Sequence, residues 1–248
     1  MEPFFSIITV CYNSQETIEK TIKSVLDQTY KNFEYIIVDG KSTDKTLGII
    51  NKYKDSRITL VSEKDFGIYD AMNKGIKISK AKWIHLLNSD DCYYSNNCLE
   101  LASKVLDENK TNYFEMCYKN KENKIYKKYS WEFFRVKLYF KACIPHPAMI
   151  VSSEQYKRIG RYDLKFRITS DHDFTLKLVK QFPGKNNKFI LVSKLDGGIT
   201  HKKKKEVIEE FREILISNNV PKILANVIYL LKIFNFQLRV IFQKILKS

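Results

Sequence analysis

Two adjacent acids, Asp90 and Asp91, follow an apolar run in "WIHLLNSDDCYY", residues 83–94. Like charges side by side at the end of a strand repel each other unless a cation or hydrogen-bond donors compensate. Mg²⁺ and Mn²⁺ take hard oxygen ligands, and Mg²⁺ is often held by one or two carboxylates plus phosphates of a substrate. A divalent ion is therefore the expected compensator, and the residues leave open which of Asp90 and Asp91 touches it. The plainer alternative is a solvated turn. A further pair, Asp171 and Asp173, opens the helical pattern "SDHDFTLKLVKQF". At i and i+2 they point to different faces of a helix, so one of them faces a ligand. The alternative is a capping box from Ser170 to Asp173, with both acids merely favouring a helix N-terminus.

The surrounding pattern says what must position these acids. "FFSIITVC", "FEYIIVDG" and "WIHLL" are near-continuous apolar runs of the kind found in buried parallel strands. Between them lie "RITLVSE", a short strand, and three helical stretches. The first carries Ile18, Ile22, Val25 and Leu26, with Asn13 as its expected cap and Glu16 three residues on. The second is "STDKTLGIINKY" and the third runs from Asp70 to Lys80. Strands alternating with helices over about 90 residues imply right-handed βαβ units and a parallel sheet. Ligands of such sheets sit beyond the carboxyl ends of the strands. Tyr12-Asn13, Asp39-Gly40 and Asn88–Asp91 should thus share one rim. Residues 112–140 read as strands and loops on an outer edge. "IPHPAMIVS" and "KFILVS" read as later strands, and "KLDGGITHKKKK" as a loop.

The 248 residues suit one large domain or one domain with an appendage, and 44% hydrophobic content supplies a core. Lys+Arg 43 against Asp+Glu 28 gives a net charge of +15, which favours nucleic acid, anionic lipid or phosphorylated substrates without choosing among them. Five scattered cysteines, at 11, 92, 98, 117 and 143, form no disulfide framework and fit a reducing cytoplasm, where they serve as small core residues. No signal peptide is expected, and no apolar stretch reaches the length of a membrane span.

"SIITVCYN", "TIKSVLDQTY", "YIIVDGKSTDKT", "GIYDAMNKGI", "LLNSDD" and "SDHDFTLKL" occur in this order. Together, over residues 4 to about 200, they resemble the inverting nucleotide-sugar glycosyltransferases of family 2, of the bacterial surface-polysaccharide type. The resemblance implies the α/β GT-A fold, a mixed and mainly parallel sheet flanked by helices. It implies a UDP-sugar donor, a glycan or lipid-linked acceptor, and Mn²⁺ or Mg²⁺. Thr9, Tyr12 and Asn13 then form the uridine wall, with Tyr12 stacking on the base, and Asp39 accepts a hydrogen bond from uracil. Asn88-Ser89-Asp90-Asp91 matches the ribose and metal motif. Its first acid is here Asn88, which leaves Asp90 and Asp91 to the metal. Asp171 takes the place of the general base, and Ser170 stands where the family more often has Glu.

Within that reading, "SEKDFGIYDAMNKG" runs over the donor phosphates or sugar. Asp70 and Asn73 can hydrogen-bond the sugar, or be a helix-start acid and a surface amide. His146, between two prolines, lines the acceptor side or packs in its loop. His201 closes over the diphosphate, serves as a third metal ligand, or is a solvated loop histidine. His85 is expected to be structural.

Residues 1–201 are thus expected to form the catalytic domain and 202–248 a basic amphipathic helical extension. On a helix from Val220 to Ser248, Ile223, Val227, Leu230, Leu231, Phe234, Leu238, Ile241, Phe242 and Ile245 form one apolar stripe, and the segment holds no acid. That pattern fits an anionic lipid surface, and hence a cytoplasmic enzyme held on the inner face of the cell membrane. Packing on its own domain or on a partner is the alternative. A sugar-nucleotide nucleotidyltransferase is disfavoured because "VCYNSQET" has neither glycine nor lysine. A nucleic-acid-binding module is disfavoured because no such motif appears, and no nucleic-acid partner is expected. A catalytically dead homologue would account for Asn88 and Ser170.

Overall fold

The computed structural model describes residues 2–120, 124–129, 138–140, 146–195 and 203–245. Nine strands among them form one sheet in the order β3-β2-β1-β4-β8-β6-β9-β5, with β7 paired to β6. The strands are β1 (Phe5–Cys11), β2 (Phe33–Asp39), β3 (Ile58–Ser62), β4 (Trp83–Leu86), β5 (Asp91–Tyr93), β6 (Thr111–Lys119), β7 (Ile125–Tyr129), β8 (Met149–Ser152) and β9 (Gly184–Leu195). The helices are α1 (Ile18–Leu26), α2 (Thr46–Ile50), α3 (Ile68–Ile78), α4 (Cys98–Ser103), α5 (Ser153–Ile159), α6 (Ser170–Gln181), α7 (Lys204–Ser217) and α8 (Lys222–Ile245).

β1 lies between β2 and β4, parallel to both, in registers starting at Phe5↔Phe33 and Phe5↔Trp83. Alternation along the strand sends Ile7 and Cys11 into one core layer, with Ile18 and Ile22 of α1, and Ile8 and Val10 into the other, with Met72 of α3. Each such apolar side chain contributes about 1.5–3 kcal/mol by leaving water. A Cβ on Gly75 would collide with the side chain of Ile8, so the glycine lets α3 lie close on β1. The carboxyl ends of β1, β2 and β4 therefore share one rim, as the strand pattern predicts.

Several local expectations are corrected. Asn13 does not cap α1: it adopts φ 49°, and its side-chain oxygen accepts from the Thr43 N–H at 2.9 Å. The cap is Thr17, which makes no side-chain cap bond. Residues 112–140 are not all outer edge. β6 is interior, between β8 and β9, and Asn112 through Cys117 are buried. Of the buried polar side chains there, Asn112 bonds the Asp107 carbonyl and Glu115 pairs with Lys128. The segment after 201 divides in two. α7 shares an apolar cluster with α6 through Ile214, Leu176 and Val179, whereas α8 packs on α7 by Ala225 and Ile228, its buried positions among the described side chains.

Candidate functional site

A cavity of about 700 Å³ opens on the rim. Tyr12, Asn13 and Ser14 line it from the end of β1, and Asp65, Gly67 and Tyr69 from the start of α3. Asn88, Ser89 and Asp90 follow β4, and Lys194 ends β9. His146 and, before α6, Arg167 close it together with Asp171. The volume suits a nucleotide-sized ligand.

At the wall expected to face uridine, Tyr12 is 62% exposed and its ring lines the cavity. Asn13 is tied to the loop after β2, donating its backbone N–H to Ser42 Oγ at 2.9 Å. Asp39 is buried and does not line the cavity. It accepts from the Ser42 hydroxyl, the Ser42 N–H at 3.0 Å and Ser62 Oγ at 2.8 Å. Thr9 is also buried, accepting from the Tyr35 hydroxyl at 3.1 Å. These two anchor the wall from behind.

The acid loop is held from beneath. Thr21 of α1 donates to the carbonyls of Ser89 and Asp91, and the Ser14 and Ser89 hydroxyls are 2.9 Å apart. Asp90 faces the cavity, with its side chain 37% exposed, and Asp91 is fully buried behind it. Lys194 Nζ lies 3.2 Å from Asp90 Oδ2 and 3.5 Å from Asp91 Oδ1. Asn88 Nδ2 donates to Asp91 Oδ2 at 3.0 Å, while Asp91 Oδ1 has no hydrogen bond. Burial pushes the Asp91 carboxyl up; Lys194 opposes that and Asp90 adds to it. Burial likewise works against the Lys194 ammonium, but the two carboxylates outweigh it and its pKa rises. The exposed Asp90 carboxylate, backed by a buried Asp91 oxygen without a donor, offers the hard oxygen that fits Mg²⁺ or Mn²⁺; Asp91, expected as a second ligand, is fully buried and does not line the cavity. Among the described residues no three His, Cys, Asp or Glu converge, so other ligands must complete the sphere. His201 lies outside the described residues.

At the opposite wall, Asp171 stands in the first turn of α6, its side chain 27% exposed. Its Oδ1 accepts from the Tyr69 hydroxyl and from the His172 N–H, each at 2.9 Å. Its Oδ2 is 3.5 Å from His146 Nδ1. Burial alone would raise this carboxyl. The hydrogen bond and charge of His146, with the Tyr69 hydroxyl, outweigh it and bring the pKa below the usual value. No capping box forms. Ser170 donates to the Asp163 carbonyl, and Asp173 is buried, bonded by Asn218 and Lys177. The turn is held instead by Glu210 of α7. That carboxylate accepts the backbone N–H groups of Arg167, Ile168 and Thr169 and the Thr169 hydroxyl at 2.8–3.0 Å.

Asp70 and Asn73 do not line the cavity. Asp70 accepts from the Phe66 N–H and pairs with Lys74. The Asn73 amide is spent on both backbone groups of Tyr162. His85 is structural as expected, bonded to the Tyr93 hydroxyl and the Pro147 carbonyl, and burial lowers its pKa to about 4. Asp65, Tyr69, Arg167 and Lys194 line the cavity without having been singled out in the sequence. Lys194 carried a faint signal, a cation ending an apolar strand run.

The family model described as "Glycosyl transferase family 2" matches residues 6–182. A "PGL/p-HBAD biosynthesis glycosyltransferase" of Mycobacterium bovis is 30% identical over 183 residues, 71% of this chain and 69% of that one. The Escherichia coli "UDP-Glc:alpha-D-GlcNAc-diphosphoundecaprenol beta-1,3-glucosyltransferase WfaP" is 49% identical over 87 residues, 35% of each chain. Among solved structures, TarS 1-349 of S. aureus in complex with UDP-GlcNAc superposes with a TM-score of 0.68 at 19% identity, covering 94% of this chain and 73% of that one. It has the same fold.

Proposed function

We propose a specific reaction for this chain, which belongs to glycosyl transferase family 2: transfer of a sugar from a UDP-sugar to a hydroxyl of a glycan or lipid-linked acceptor, with inversion, in the building of a surface polysaccharide. Membership sets the reaction class as glycosyl transfer rather than nucleotidyl transfer. The observation that carries the finer reading is one cavity with a cation-seeking acid loop at one wall and an ionised, hydrogen-bonded carboxylate at the other. The UDP-GlcNAc complex of TarS and the UDP-Glc donor and lipid-linked acceptor in WfaP's name support the choice of donor and acceptor.

In this reading Asp90 holds the divalent ion, Asp91 and Asn88 hold Asp90's loop, and Tyr12 carries the base. When bound, the ion neutralises charge on the departing diphosphate. Lys194 and Arg167 are the cations that line the same cavity and add to that neutralisation. Asp171 takes the proton of the acceptor hydroxyl. A free aspartate is a weak base, so it works by position, as bond formation acidifies the hydroxyl. A single displacement needs no protein nucleophile.

The test is thermal shift and UDP release with UDP-glucose and UDP-GlcNAc, with and without Mn²⁺. UDP plus Mn²⁺ should stabilise the protein, and Asp90→Ala should abolish the shift. Asp171→Asn should keep the shift and lose turnover by about 10²–10⁴-fold. Normal turnover in that variant would remove Asp171 from the reaction.

We further propose that α8 lies on an anionic membrane surface. Ile223, Val227, Leu230, Leu231 and Phe234 are exposed along it, while residues 220–248 hold no acid. Lys232 is half-buried, its ammonium 3.9 Å from the centre of the Phe211 ring of α7. No helix among the described residues is long and apolar enough to cross a membrane. Sedimentation with anionic vesicles should carry down the wild type and leave Leu230→Lys/Phe234→Lys in solution. Equal partitioning would end the proposal.

A further inference from the structure

His146 opens the short 3-10 turn His146–Ala148. The turn is pinned from behind, because His85, buried in β4, bonds the Pro147 carbonyl at 3.0 Å. The His146 side chain is only 12% exposed, and both of its ring nitrogens face oxygens. Nε2 is 3.0 Å from Asn88 Oδ1, and Nδ1 is 3.5 Å from Asp171 Oδ2. The orientation of the Asn88 amide is fixed by its other end. Its Nδ2 meets the buried Asp91 carboxylate at 3.0 Å, and a flipped amide would set oxygen against oxygen there. Asn88 Oδ1 can therefore only accept, and so can the Asp171 carboxylate. A neutral imidazole carries one N–H and satisfies one of these oxygens; the protonated ring satisfies both.

This also gives the amide at position 88 a physical reason. A carboxylate there would stand against the buried Asp91 and could donate nothing to it. An amide donates to Asp91 and accepts from His146 at once. Asp91, Asn88, His146 and Asp171 thus form one unbroken chain of contacts from the acid loop to the opposite wall.

We propose that His146 is a positioning residue: held by Asn88, it fixes Oδ2 of Asp171 and keeps that carboxylate charged for proton removal. The proposal rests on Asp171 being the base. The titratable groups around that carboxylate are His146 from the turn, Tyr69 and Tyr162 behind it, and the neighbouring His172; Arg167 lines the same cavity. Of these, His146 is the one that connects to the acid loop.

The experiment uses the full chain with whichever of UDP-glucose and UDP-GlcNAc stabilises it, following UDP release against pH. In His146→Ala, turnover should fall about 10–100-fold, as for a base out of place, with donor KM and the UDP–Mn²⁺ thermal shift kept within about twofold. A base must be deprotonated to act, so its profile falls on the acid side. That limb should move up by about one pH unit when the histidine is lost. An asparagine places its amide nitrogen near the position of Nδ1, and a glutamine near that of Nε2. His146→Asn should therefore restore most of the turnover, and His146→Gln should not. Equal loss in both, or an acid limb that stays put, would make His146 a packing residue and overturn the proposal. If alanine unfolds the turn, the Asn–Gln contrast decides alone. Turnover surviving in Asp171→Asn sinks the base assignment first; loss there with a normal His146→Ala sinks this inference alone.

Discussion

Asp91 and Asp171 stand at opposite walls of one cavity, both withdrawn from water, and burial pushes both toward the neutral form. Only Asp91 follows. Asp171 receives a hydroxyl, a backbone N–H and the imidazole of His146, and it sits in the first turn of a helix, where the dipole favours negative charge. Asp91 receives one amide N–H, has Asp90 as its neighbour, and reaches its nearest cation at 3.5 Å. Desolvation is common to the two, and each has a basic side chain at 3.5 Å; the hydroxyl and backbone N–H on Asp171, against one amide N–H and the neighbouring Asp90 charge at Asp91, separate them. In the proposed reading Asp171 is the base, and its wall is complete within the chain. The acid wall is short of positive charge and waits for a ligand to bring it.

The largest way to break this contrast is to remove what completes the base wall. Glu210 accepts three backbone N–H groups and a hydroxyl just before Asp171. Glu210→Ala leaves those donors without a partner, at a cost of about 1–3 kcal/mol. A urea melt should shift accordingly, and turnover should drop. The UDP–Mn²⁺ thermal shift should persist, because nothing at the acid loop touches Glu210. A variant that lost donor binding and turnover together would show the two walls to be one unit.

The same contrast marks how much the sequence could carry. β1, β2 and β4 were legible because buried parallel strands need unbroken apolar runs, and their polar ends fell on one rim as expected. The acid pairs Asp90/Asp91 and Asp171/Asp173 stood out as charged exceptions at element boundaries, but the residues left the choice within each pair open, and only the family resemblance singled out Asp171. Glu210 did not stand out, since an acid in an amphipathic helix looks like surface until the partner helix is in place. α7 therefore passed for part of an appendage, although Phe211 stacks on His172 at 4.7 Å. β6 passed for edge because Glu115 and Asn112 look solvent-facing until Lys128 and the Asp107 carbonyl meet them. Asp70 and Asn73 share a helix face, but the face turns toward loop backbone rather than the cavity. The contact of Asn88 with His146 spans 58 positions, beyond any local pattern.

A smaller effect sharpens the comparison through its sign. Asp171 has a folded pKa below its unfolded value. It therefore contributes stability above the unfolded pKa, and that contribution is lost as the pH falls through the folded one. Asp91 has a folded pKa above its unfolded value. Its contribution is present below the unfolded pKa and is lost as the pH rises through the folded one. Asp171→Asn should thus cost most near neutral pH, and its stability curve should close on the wild type in acid. Asp91→Asn should cost least near neutral pH, and the gap should widen toward acid. The two variants are told apart by the sign of the slope, and for Asp91 the change falls between the ordinary carboxyl value and about 6. The melts are run over pH 3–8 without divalent cations, since a bound ion would hold Asp91 charged and erase its slope. Curves of equal slope in the two variants would mean that the donors around Asp171 do not outweigh its burial, and the base wall would then need its ligand as much as the acid wall does.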